Sequence, residues 1–209
     1  MKYPIGIQDF EKIIKDGYVY LDKTGLIYDL VHNGTIYFLS RPRRFGKSLL
    51  VSTLKCYFEG KKELFKGLSI DKLEKEWKQY PVLHLSFGGQ NYIEPYTLEH
   101  VLEEFVARAE LVYGKDELAK TLSSRFRAVL KKAHAKTGVR AVVLIDEYDK
   151  PLLDVMDMDI SVQNEYGKMT LEDYNRNLLK GVYSVFKEAD DDLQFVLLTG
   201  VTKFSQVSV

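Results

Sequence analysis

Residues 41 to 48 read Arg41-Pro-Arg-Arg-Phe-Gly-Lys-Ser48, a glycine, a lysine and a hydroxyl in succession after three arginines. If a strand precedes and a helix follows, successive backbone N–H groups and the helix N-terminus form a concave, positively polarised nest for phosphate oxygens. Gly46 lets the backbone approach closely, Lys47 reaches the β and γ phosphates, and the Ser48 hydroxyl is a ligand for Mg²⁺. Basic residues at a helix start oppose the helix dipole, so a helix opening on Arg43, Arg44 and Lys47 calls for an anion. The candidate phosphate-binding run is therefore Arg43, Arg44, Phe45, Gly46, Lys47, Ser48 and Leu49. The general pattern has a glycine where this chain has Arg41.

About a hundred residues further on, Val142-Val-Leu-Ile-Asp146-Glu147 is an apolar run of β-formers ending in two carboxylates, which places Asp146 at the carboxyl end of a strand, where open α/β sheets bind ligands. There Asp146 joins Ser48 in holding Mg²⁺, and Glu147 takes a proton from a water attacking the γ phosphate. A carboxylate base beside the metal-binding one favours hydrolysis over transfer to another acceptor, so Glu147, Lys47 and Thr199 form the candidate catalytic set. Thr199 closes another apolar run, Phe195-Val-Leu-Leu-Thr199, with a hydroxyl for the attacking water or the γ phosphate. Asp149 is a candidate support for either carboxylate. Arg43 and Arg44 either contribute transition-state charge or are solvated loop residues. An arginine supplied by a neighbouring subunit is not visible in the sequence, and a homo-oligomer stays open.

The elements that must carry these residues are legible as alternating patterns. Helices are expected over Ile7 to Lys15 and Lys23 to Val31, the second capped by Asp22 or Thr24, with a short strand at Tyr18 to Leu21 between them. Thr35 to Ser40 is a buried-type strand, Ser48 to Phe58 a helix, and Lys61 to Gln79 a helical surface connection carrying Trp77. Pro81 to Phe87 is a second strand. Amphipathic helices over Thr97 to Tyr113 and Lys115 to Lys136 lead to the strand Val139 to Ile145. An exposed loop over Pro151 to Met169 and a helix over Leu171 to Glu188 lead to the strand Leu193 to Thr199. Strands separated by crossovers too long for hairpins imply an α/β sandwich around a mainly parallel sheet.

Composition removes several classes. Thirty basic and thirty acidic side chains in 209 residues give a net charge of zero, so a nucleic-acid-binding module would need a local patch such as Arg41, Arg43 and Arg44. One cysteine, Cys56, forms no internal disulfide, and the opening residues lack the apolar core of a signal peptide, which favours the cytoplasm. No apolar run approaches the roughly twenty residues of a membrane helix. Four scattered histidines make no zinc or nucleophile constellation. Tyr18, Tyr20, Tyr28 and Tyr37 lie near the loop in sequence, and one of them is a candidate for stacking on a base.

Five segments together carry a family resemblance: Pro4-Ile-Gly-Ile-Gln-Asp-Phe10, Tyr20-Leu-Asp-Lys-Thr24, Arg41 to Ser48, Leu144-Ile-Asp-Glu-Tyr-Asp-Lys-Pro151 and Thr199-Gly-Val-Thr-Lys-Phe-Ser205. The chain resembles, over essentially its whole length, the bacterial AAA-ATPase-like family abundant in Bacteroidetes, whose version of the loop accommodates Arg41. The resemblance implies an ATP-binding and ATP-hydrolysing, three-layer P-loop NTPase sandwich of the additional-strand type. Lys47 and Ser48 would form Walker A, Asp146 and Glu147 Walker B, and Thr199 would take the sensor-1 position. It further implies that residues 1–209 form one AAA-like domain, with 1–34 as a helix-strand-helix extension. Similar proteins continue into a PD-(D/E)XK nuclease-like domain, so this chain is expected to be truncated and to meet nucleic acid only through that missing part.

Overall fold

The computed structural model describes residues 1–164 and 167–202. Helix α1, Phe10–Lys15, starts later than expected because Asp9 caps it, accepting a hydrogen bond from the Lys12 N–H at 2.8 Å. The segment before α2, Thr24–Asn33, is not a strand: Val19 donates to the Lys2 carbonyl, and no ladder forms. Asp22 does not cap α2 in the usual position. Its carboxylate instead accepts from the N–H and hydroxyl of Thr24 and from the N–H and hydroxyl of Ser69, tying the two ends of this region together.

Strand β1, Ile36–Ser40, runs into the glycine-containing loop and then α3, Lys47–Phe58. The stretch after α3 holds a 3₁₀ turn, Lys62–Phe65, and α4, Ser69–Leu73, but it is not a surface connection. Leu64, Phe65 and Ile70 are buried, and Trp77 packs on Phe65 and Tyr57, because the aromatic side chains there close the core under α3. Strand β2, Val82–Ser86, is followed by α5, Thr97–Tyr113, and α6, Leu122–Thr137. The start of α6 is seven residues later than expected, set by Thr121 and Ser124, whose side chains satisfy each other's backbone N–H groups.

Strand β3, Ala141–Asp146, is buried along its whole length. The polar stretch after it, expected as an exposed loop, contains α7, Lys150–Leu153, and an antiparallel hairpin of β4, Ser161–Asn164, and β5, Gly167–Thr170. Val155 and Val162 bury there with Leu171 and Tyr174, so four apolar side chains spread through a polar sequence make a small core of their own. Helix α8, Leu171–Glu188, leads to β6, Leu193–Gly200.

The main sheet is fully parallel in the order β1-β6-β3-β2. β6 is the additional strand, inserted between the strand before the glycine loop and the strand that ends in two acids. Side chains alternate across it: Val142, Leu144, Phe195 and Leu197 face α3 and the N-terminal helices, while Val143, Ile145, Val196 and Leu198 face α5, α6 and α8. The result is a three-layer α/β sandwich of the P-loop NTPase type. Phe10 and Ile27 share a core with Val51 and Leu54 of α3, so the first thirty-odd residues pack as part of this body. Among the described residues no helix is long and apolar enough to cross a membrane.

Candidate phosphate and hydrolysis site

The parallel register brings four strand ends to one edge. Ser86 lies beside Asp146, Leu39 beside Thr199, and Ser40 beside Gly200. The loop from β1 to α3 turns on two left-handed residues, Arg44 (φ 68°) and Gly46 (φ 77°). Gly46 takes that conformation without penalty, whereas Arg44 takes it against its side chain. Lys47 is only 8% exposed, and its ammonium donates to the carbonyls of Arg41 (2.8 Å) and Pro42 (3.0 Å), so the lysine is strapped across the loop it belongs to.

A cavity of about 710 Å³ lies over this loop. Arg43, Arg44, Gly46, Lys47, Ser48 and Leu49 border it, as do Glu147, Asp149, Lys150 and the N-terminal stretch Pro4 to Gln8. The loop and Glu147, about a hundred residues apart in sequence, thus meet in one space. Phe45 instead lines a second, mostly apolar cavity of about 660 Å³ that shares Gly46, Lys47 and Leu49 with the first and is also lined by Tyr20, Tyr37 and Leu26. Of the four tyrosines near the loop in sequence, Tyr20 and Tyr37 reach that cavity. Tyr28 stacks on His32 at 4.1 Å, and Tyr18 lies under the Lys2 ammonium.

Asp146 is 5% exposed, and its Oδ1 accepts from the Glu147 N–H at 3.1 Å and from the Thr199 hydroxyl. Thr199 is fully buried, so its hydroxyl meets the Asp146 carboxylate rather than the open cavity, which departs from the expectation of a direct contact with water or phosphate. Among the described residues, Asp146 Oδ2, the Ser48 hydroxyl and the Glu147 carboxylate have no hydrogen-bond partner. Glu147 itself is in the left-handed region, φ 54°, a strained conformation for a residue with a side chain. Its Oε2 rests so close to Gly88 that a Cβ at that position would stand 3.3 Å away.

The oxygen donors Ser48 and Asp146 are hard ligands of the kind Mg²⁺ takes. No group of three or more His, Cys, Asp or Glu among the described residues forms an all-protein cage. Mg²⁺ is commonly bound through one or two protein oxygens together with phosphates and waters.

Asp149 does not turn toward Asp146 or Glu147. It is 1% exposed, and its Oδ2 accepts from the N–H of Val201 (2.6 Å), the N–H of Thr202 (2.7 Å) and the Thr202 hydroxyl (2.9 Å). The neighbouring Tyr148 donates its N–H to the Thr199 carbonyl and its hydroxyl to the Thr202 carbonyl. These contacts escaped sequence reasoning because they join two strand ends across the sheet. The signal was present only as two motif-rich segments, 144–151 and 199–205, with no stated relation. Lys203 lies outside the described residues.

Comparison with known proteins agrees with this architecture. The chain is 41% identical over 212 residues to a protein of Azotobacter chroococcum mcd 1 named "Uncharacterized protein in vnfD 5'region", covering 100% of this chain and 39% of that relative. The chain therefore spans well under half the length of the curated relative it matches. No solved structure matches. A family model described as "Predicted AAA-ATPase" matches residues 4–209, and on that match the chain belongs to the AAA-ATPase-like family.

Proposed function

We propose that residues 1–209 act as one ATPase unit that binds Mg-ATP over the Arg41 to Ser48 loop and hydrolyses it, using turnover to switch conformation. The observation that carries this reading is the meeting, in one cavity, of the loop and Glu147. Backbone N–H groups at the start of α3, Lys47, Arg43 and Arg44 bind and orient the phosphates. Ser48 and Asp146 would hold Mg²⁺, which when bound neutralises developing phosphate charge. The Thr199 hydroxyl fixes the orientation of Asp146, and Glu147 accepts the proton of the attacking water. The adjoining apolar cavity, with Tyr20, Tyr37 and Phe45, offers surface against which a base packs. In a longer protein the switch would gate a nuclease-like domain, an expectation that rests on the resemblance alone.

Calorimetric titration with Mg-ATP, Mg-GTP and metal-free ATP tests the binding half. Lys47→Ala removes a charge-assisted phosphate contact and is expected to weaken Mg-ATP binding by about ten- to a hundredfold. Phosphate release tests the chemistry: Glu147→Gln keeps the shape and removes the base, with an expected loss of about 10²- to 10⁴-fold. Unchanged turnover in that variant overturns the hydrolytic assignment. Tight binding with no phosphate release from the wild-type chain would instead indicate a switch driven by binding alone.

A further inference from the structure

The turn that carries Glu147 is held in a conformation its own sequence disfavours. A glutamate at φ 54° persists only where its surroundings over-determine the backbone. The residues that follow supply that restraint. Tyr148 is fastened to Thr199 and Thr202, and the Lys150 N–H closes the turn onto the Glu147 carbonyl at 3.0 Å. Three donors from Val201 and Thr202 converge on Asp149 Oδ2. That segment is in turn fastened to the base of the glycine loop. The Arg41 N–H donates to the Gly200 carbonyl at 3.0 Å, and the Ser40 hydroxyl donates to the Val201 carbonyl at 2.9 Å.

A continuous chain of hydrogen bonds therefore runs from the phosphate loop through residues 200–202 and Asp149 to the Glu147 turn. We propose that Asp149 is a positioning residue: by gathering the Val201 and Thr202 donors it locks the Glu147 turn to the phosphate loop, so that the Glu147 carboxylate stands at the correct place over the cavity. The proposal rests on the hydrolytic reading above. Asp149 borders the same cavity, but it is almost wholly buried and one of its oxygens is committed to three donors. A carboxylate suits this task because a single anionic oxygen serves all three donors. An asparagine oxygen accepts less strongly, and its amide hydrogens demand acceptors of their own.

The test is a double-mutant cycle on the chain with wild type, Asp149→Asn, Glu147→Gln and the double variant, read by single-turnover phosphate release and by calorimetric Mg-ATP binding. Asp149→Asn is expected to lower the rate by about ten- to a hundredfold while the Kd for Mg-ATP changes by less than about threefold. In the Glu147→Gln background the same substitution is expected to change the rate by less than about twofold, because its effect passes through Glu147. A merely structural role lowers both backgrounds equally and overturns the proposal, as does a rate within twofold of wild type for Asp149→Asn alone. A tenfold weaker Kd overturns it in favour of direct ligand contact. An unchanged rate in Glu147→Gln removes the hydrolytic reading and the proposal together, whereas a slow Glu147→Gln beside a normal Asp149→Asn removes the proposal only. Should Asp149→Asn fail to fold, Thr202→Val deletes one of the three donors and decides the question with the same pattern at about two- to fivefold.

Discussion

Replacing Gly200 with alanine tests the packing that joins β6 to the acidic turn. Gly200 is buried and its φ is not in the left-handed region, so the backbone accepts alanine and any cost is steric. A Cβ there would stand 2.4 and 2.6 Å from two ring carbons of Tyr148 and 2.8 Å from the Asp149 carboxyl carbon, all closer than real contacts allow. Neither neighbour yields freely. The Tyr148 ring is edge-packed on Phe38 at 4.6 Å and anchored through its hydroxyl, and Asp149 holds three hydrogen bonds. Overpacking of this kind costs about 1–3 kcal/mol, and a well-anchored site belongs at the upper end. Glycine-to-alanine entropy returns about 0.4–1 kcal/mol, and each displaced hydrogen bond adds about 1 kcal/mol, for a net destabilisation of about 3 kcal/mol. For a chain of this size that lowers Tm by roughly 6–12 °C. Gly34→Ala is the internal control. Its Cβ would meet the Tyr37 hydroxyl at 2.7 Å and two of its ring carbons at 3.0 and 3.3 Å, but Gly34 is exposed and Tyr37 only half-buried, so the hydroxyl end of the ring can give way toward solvent, and the expected change is under about 2 °C. Thermal melts followed by circular dichroism read both. A Gly200→Ala melt within about 2 °C of wild type, or no lower than Gly34→Ala, would refute the idea that this junction is rigid.

Other expectations follow from the same structure. Partial burial opposes ionisation of Asp22, but hydrogen bonds from Thr24 and Ser69 outweigh it and hold the carboxyl at about 2. Because the folded pKa is depressed, that stabilisation is present above the ordinary carboxylate range near pH 4 and is lost as pH falls toward 2. The stability difference between wild type and Asp22→Asn, read from Tm, should therefore widen from pH 2 to pH 5, to about 1 kcal/mol given the exposed position, and a constant difference would contradict it. Arg125 grips Glu110 with two hydrogen bonds, at 2.9 and 2.8 Å, and also pairs with Glu103, which lowers the Glu110 carboxyl pKa. Arg125→Met should cost about 2–3 kcal/mol at neutral pH by stranding the nearly buried Glu110, and less at pH 4, where Glu110 can protonate; urea melts at both pH values check this. Retained stability at pH 7 would mean that Glu110 finds another partner or escapes to water.

What the sequence by itself determined was local and periodic. Apolar runs marked β1, β2, β3 and β6, but only the two central strands, β3 and β6, are covered on both faces as such a run implies; β1 and β2, at the edges of the sheet, alternate with exposed positions such as Ile36, Phe38 and His84. Glycine, lysine and serine at a strand-to-helix junction marked the candidate phosphate loop, and Asp146 and Glu147 at a strand end marked its candidate partner. Where order came from contacts distant in sequence, the reading stopped short. The hairpin after β3 sits in a polar stretch whose few apolar residues become meaningful only when Val155, Val162, Leu171 and Tyr174 meet. Tyr18 to Leu21 has the composition of a strand but no ladder partner beside it. The strand order decided the rest. By inserting β6 between β1 and β3, it places the Thr199 hydroxyl on Asp146 and brings Val201 and Thr202 within reach of Asp149. Asp149, which by sequence was a candidate support for the neighbouring carboxylates, becomes the fastening between two strand ends, because a carboxylate binds whichever donors the fold delivers to it.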